Sequence, residues 1–98
     1  MQFLIHAYDH DDALNIRLAN REAHIAWLKA AGPRVLAAGP WMNEAGDMAG
    51  SLLIVEMENK DKLNDWLATD PYTKAGLFSK VETAPYKWAI NAPDPIST

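Results

Sequence analysis

The sequence contains no cysteine. Disulfides, thiolate metal sites and a cysteine nucleophile are therefore excluded. A chain without thiols suits a reducing compartment, and a cytoplasmic location is expected. Long hydrophobic runs are missing too. None exceeds four residues, as in Leu52 to Val55, far short of a membrane-spanning helix. The first residues, Met1-Gln2-Phe3-Leu4-Ile5, carry no basic segment and no cleavage site, so no signal peptide is expected. Lys and Arg number only nine and stand singly; the net charge is −4 and the pI about 5.2. Such a surface does not track phosphates, and nucleic acid is not an expected partner. Glycine is sparse and forms no phosphate-binding loop, so no nucleotide cofactor is expected.

What is present is an ordinary globular composition, with 49% hydrophobic and 22% charged residues in 98. That length suits one domain, which buries roughly 60–70% of its unfolded surface. Residues 2–8 hold Phe3, Leu4, Ile5 and Ala7 and read as a strand. Asp9, Asp11 and Asp12 supply helix-start chemistry for a helix from about 12 to 31, stopped by Gly32-Pro33. Leu14, Leu18, Ile25 and Leu28 share one face at helical spacing and predict its core stripe. Arg21 lies within that arc, with Arg17 and His24 on its flank. Ile16, Ala23 and Trp27 occupy the opposite side and suggest a second contact.

Val35 to Ala38 reads as a second strand ended by Gly39-Pro40, and residues 42–50 as a mobile connection. Ser51 to Glu58 is apolar on both faces for most of its length, as a central strand is. A second helix over 60–69 turns Leu63, Trp66 and Leu67 inward. Asp70-Pro71 opens a helical turn to about Ala75, closed by Gly76. The last strand covers 78–90, with Pro85 placing it at a sheet edge or a bulge. The order βαββαβ predicts a ferredoxin-like α+β sandwich: a four-stranded antiparallel sheet with two helices on one face. The uncovered face remains apolar, so a homodimer packed sheet to sheet is expected.

His24 is the leading candidate for chemistry, because imidazole exchanges protons near neutrality. The plainer alternative is a half-exposed helix histidine without a task. Asp70 followed by Pro71 is good helix-cap chemistry. The two roles are compatible if one carboxylate oxygen caps and the other accepts from an imidazole N–H. Arg21 and Arg17 are candidates for holding a carboxylate or enolate, or else they pair with nearby acids such as Asp70. Tyr72 is a candidate phenol donor, and otherwise a packing residue. His6, near the end of the first strand, is expected to line the same cavity, whereas His10 reads as surface. Ser51 lacks a Gly-x-Ser-x-Gly elbow and is not read as a nucleophile; it is kept among the ligand-binding candidates. The Asp9-His10-Asp11-Asp12 loop lacks the spacing and glycine of a calcium loop, so no metal is expected. The four tryptophans read as core and interface.

Taken in order, several short stretches match one pattern. They are Arg21-Glu22-Ala23-His24, Ala38-Gly39-Pro40, Gly50-Ser51, Asp70-Pro71-Tyr72, Ala75-Gly76-Leu77-Phe78 and Pro85-Tyr86-Lys87. From about residue 1 to 90, as a single domain, the chain resembles the YCII-related (YciI-like) family. The tail from Asn91 to Thr98 lies outside the likeness and is expected to be a loose or swapped end. The resemblance implies a dimeric α+β barrel and an active site on a histidine–aspartate pair, here His24 and Asp70. It includes a relative linked to dehydrochlorination of an aromatic, and related barrels include monooxygenases and isomerases. The expectation is a cofactor-independent acid–base enzyme acting on a small carbonyl, cyclic or aromatic metabolite. The alternatives are a dimeric module that holds a small anionic ligand without turnover, and a domain whose only task is dimerisation.

Overall fold

A computed structural model describes residues 1–94. The order is β1 (Gln2–Asp9), α1 (Leu14–Ala30), a 3-10 turn (Gly32–Arg34), β2 (Val35–Met42), β3 (Met48–Glu56), α2 (Lys60–Leu67), α3 (Pro71–Lys74) and β4 (Phe78–Pro85). The strands form one antiparallel sheet in the order β2-β3-β1-β4. The expected ferredoxin-like sandwich is the fold. The expected central strand, β3, lies between β2 and β1.

Alternation decides what each strand buries. Phe3, Ile5 and Ala7 of β1 are buried, as are Ser51, Leu53 and Val55 of β3. Together with Met57 and Leu63 these residues make the main core, on which Trp27, Leu28, Val35, Trp66 and Leu67 pack. Each fully buried aliphatic or aromatic side chain contributes about 1.5–3 kcal/mol. A smaller cluster joins Ala13, Tyr72 and Leu77, with Ile16 and Phe78 against it. It ties the start of α1 to α3, which is where the candidate site lies.

Several local expectations are corrected. Gly39-Pro40 does not end β2, which continues to Met42 and pairs Pro40 with Ser51. Pro40 is tolerated because β2 is an edge strand, where a missing N–H breaks no ladder. β3 accordingly starts at Met48, and the connection shrinks to a tight loop in which Asn43 and Asp47 bond one another. β4 stops at Pro85, short of residue 90. The aspartates before α1 do not cap it: Ala13 is the cap, without a side-chain bond. At α2, by contrast, the Asn59 side chain accepts from the Lys62 amide at 2.9 Å. The described part of the tail, 91–94, has no regular structure, and the expected loose or swapped end beyond it lies outside the described residues.

The inner face of α1 also differs. Leu14 is 51% exposed and Leu18 55% exposed, while Arg17 is 3% and His24 7% exposed. The buried stripe therefore runs through Ala13, Arg17, His24 and Leu28. Trp27, expected on the opposite side, packs on the core and stacks on Trp66 at 4.0 Å. Its indole N–H donates to Thr69 Oγ1 at 2.9 Å. Hydrophobic spacing alone favoured the leucines. A stripe containing an arginine becomes the inner face only when the sheet offers that arginine a counter-charge.

Candidate functional site

Asp9, at the end of β1, is that counter-charge. Arg17 Nε donates to Asp9 Oδ2 and Arg17 Nη2 to Asp9 Oδ1, both at 2.8 Å. Nη2 also donates to Ser51 Oγ at 2.9 Å, and the guanidinium lies over the Tyr72 ring at 4.8 Å. Burial works against the Arg17 charge, but the hydrogen bonds and field of Asp9 outweigh it and raise its pKa. A bidentate pair of this kind fixes geometry as well as charge. Asp9 is the site residue that sequence reasoning missed. Its only signal was an acid at a strand end, eight positions before Arg17, where it read as a helix cap.

His24, two helical turns after Arg17, points between the sheet and α3. Its Nδ1 lies 2.8 Å from Asp70 Oδ1. The Tyr72 amide donates to that same oxygen at 2.9 Å. Asp70 is thus both cap and imidazole partner, but through one oxygen, whereas the sequence reading assigned the roles to two. An ionised carboxylate only accepts, so Nδ1 carries the proton of this contact and Nε2 is left outside it. The imidazole stacks on Tyr72, with ring centres 3.9 Å apart and planes 14° apart. Asp70 is 3% exposed. The Tyr72 phenol pKa is raised chiefly by its burial, against the opposing charges of Arg17 and Arg21. Tyr72 is therefore a neutral donor at physiological pH.

A cavity of about 210 Å³ opens above the imidazole. Arg17, Arg21, His24, Ser51 and Tyr72 form its polar lining. Ile25 and Leu28 of α1, Ala38 to Pro40 of β2, and Met48 of β3 form the apolar wall. Arg21 is exposed and makes no ion pair among the described residues, so its charge is free at the cavity. Arg17 commits Nε and Nη2 to Asp9 and Ser51. Ser51 accepts from Arg17, which leaves its hydroxyl proton to be given.

His6 is not part of this arrangement. It pairs with Leu52 in the β1–β3 ladder and points to the uncovered face, opposite to Ala7 and Ser51. There its Nδ1 lies 3.2 Å from the Tyr8 hydroxyl, and its ring meets Trp41 edge-on at 5.3 Å. The alternation of one strand, one residue out of phase, separates it from His24. Among the described residues no group of three or more His, Asp or Glu is arranged to hold a metal.

The fold is that of the dimeric α+β barrel proteins, with a buried histidine–aspartate contact under a small open cavity. The chain belongs to the YCII-related domain family, whose model matches residues 1–87. It is 41% identical over 96 residues to an uncharacterised protein of Haemophilus influenzae, covering 89% of this chain and 97% of that one. To the protein YciI of Escherichia coli it is 36% identical over 95 residues, with the same coverage of each. Among solved structures it is similar to the 5-chloro-2-hydroxyhydroquinone dehydrochlorinase of Burkholderia phenoliruptrix, in complex with 2,5-dihydroxybenzoquinone. The TM-score is 0.82 and the identity 35%, over 89% of this chain and 94% of that one.

Proposed function

We propose that this chain is a cofactor-independent enzyme in which His24, oriented by Asp70, moves a proton on a small anionic metabolite. The observation that carries the reading is the 2.8 Å contact between two buried side chains whose imidazole lines an open cavity. In the resting state Nδ1–H is donated to Asp70 and the Nε2 lone pair is available as a base. Proton uptake on Nε2 makes an imidazolium whose Nδ1–H still donates to Asp70. The electron pair left on the substrate becomes an enolate or enediolate, and the Arg21 guanidinium is the charge that balances it. From that point, return of the proton to another carbon is isomerisation. Departure of a leaving group with its bonding pair is elimination. The likeness to a dehydrochlorinase favours elimination of a proton and an anion from a ring. A cavity of about 210 Å³ suits a single ring. We further propose that two copies associate through the uncovered sheet face, where Leu4 and Leu52 lie.

Replacing His24 by Ala is expected to lower kcat on a substrate found by a metabolite screen by about 10²–10⁴. The melting temperature must be compared in the same preparation. Asp70→Asn lowers the rate as well, through the wrong tautomer. Unchanged turnover in a folded His24→Ala protein would sink the mechanism. Arg21 supports a second reading, a module that holds a small anion without turnover. In that case a ligand stabilises wild type and His24→Ala equally in a thermal-shift assay, and only Arg21→Ala loses it.

A further inference from the structure

A second cavity lies on the other side of the His24–Asp70 contact. It measures about 410 Å³ and sits between α2, α3 and the helix-facing side of β1, β3 and β4. Its wall is largely apolar: Ile5, Ala7, Leu53, Leu67, Phe78 and Val81. Its inner wall also includes Asp70, which does not line the cavity above His24. Both side-chain hydrogen bonds that Asp70 accepts among the described residues end on Oδ1. Oδ2 receives none, although only 4% of the side chain is accessible. Oδ2 is not among the buried polar atoms left without a partner, so it meets the open cavity itself and presents a charged acceptor there. Lys60, at the rim, does not pair with it; its ammonium donates to Thr83 Oγ1.

The geometry points to a second binding site, for a small neutral phenol whose hydroxyl donates to Asp70 Oδ2 and whose ring fills the apolar space. An anion would be repelled by Asp70. An ammonium would lose its hydration on entry and meet the Lys60 charge at the rim. A neutral hydroxyl on an aromatic ring satisfies the oxygen and buries its apolar body against Phe78, which itself stands edge-on to Tyr72 at 6.0 Å. The site needs no turnover at His24, so it stands or falls separately from the catalytic reading. Its occupant touches the same carboxylate that orients the imidazole. It would therefore adjust the His24 contact from behind without entering the cavity above it.

The test is a titration of the whole protein with phenol, followed by methyl NMR. Of these two cavities, Leu67 and Val81 line the second and not the first, and Ile25 and Met48 the first and not the second. Saturable shifts are expected at Leu67 and Val81 and not at Ile25 and Met48. Toluene, the same ring without the hydroxyl, is expected to bind at least about tenfold more weakly, because it displaces solvent from Oδ2 and returns no donor. Val81→Phe, which fills part of the space, is expected to weaken phenol binding by a similar factor. Shifts confined to Ile25 and Met48 would overturn the proposal, as would toluene binding as tightly as phenol. So would the absence of any saturable shift. Should Val81→Phe fail to fold, the comparison of phenol with toluene on the unaltered chain still decides.

Discussion

Tyr72 shows how much one residue is asked to do. Its amide is capped by Asp70, its ring carries His24 on one face, and the Arg17 guanidinium lies over it. Its phenol pKa is raised above the ordinary 10.0, mainly by burial. The sign of the consequence follows by linkage. The folded chain holds the phenol proton more tightly than the unfolded chain does, so this contribution is complete below about pH 10. It is lost as pH rises through the folded value. Urea unfolding in alkaline buffers is expected to show stability falling above pH 10 more steeply in wild type than in Tyr72→Phe. Equal slopes would mean that the phenol is not held protonated. Residue identity carried much of this site in the sequence: Asp70-Pro71 announced a cap, His24 stood out on the flank of an apolar stripe, and Tyr72 read as a phenol donor or a packing residue. The Asp9–Arg17 pair was not. A bidentate contact between a strand end and a helix has no local signature, because it depends on where the chain returns in space.

At the scale of the elements, the reading of α1 turned on an energy that periodicity does not contain. Leu14 and Leu18 outscore Arg17 on any hydrophobic pattern, yet they are exposed and Arg17 is buried. Burying an arginine without a partner costs several kcal/mol. With a bidentate carboxylate and a hydroxyl in place most of that cost is offset. The element order and the central position of β3 were legible because they rest on alternation and on crossover rules, which are properties of the sequence pattern. The extent of β2 was not, since Gly39-Pro40 looks the same in a turn and on an edge strand. The β2–β3 pair also carries a close fit. Trp41 lies over Gly50 and donates its indole N–H to the Ala7 carbonyl at 2.9 Å. A Cβ at Gly50 would stand 2.0 Å from that carbonyl oxygen and 2.2 Å from the indole nitrogen. Gly50→Ala is therefore expected to expel the indole and cost about 1–3 kcal/mol in chemical unfolding. A change below about 0.5 kcal/mol would show that the fit is loose.

Over the whole molecule, the helices cover one side of the sheet and leave the other to the surroundings. Leu52 is 40% exposed in the middle of that side, opposite His6 in the ladder. If two copies meet there, Leu52→Asp places a charge at the centre of an apolar contact, where it has no partner. Light scattering on wild type is expected to give twice the chain mass, and on Leu52→Asp the mass of one chain. A monomeric wild type, or an unaltered dimer in the variant, would move the contact elsewhere. His6, Tyr8 and Trp41 form a ring cluster on this same side, so His6 would belong to assembly and not to the site. No helix among the described residues is long and apolar enough to cross a membrane.

The single oxygen on which Asp70 gathers two donors has one more implication. The Tyr72 amide and the His24 imidazole draw on the same electron density. When the imidazole becomes a cation it takes the larger share, and the peptide N–H that opens α3 is left with less. A charge placed on the imidazole is thereby expected to reach the backbone of α3, the turn that holds the ring beneath it. The Tyr72 amide proton is therefore the reporter to follow by NMR: its resonance is expected to move with the charge on His24, and a fixed resonance would show that the two donors do not compete.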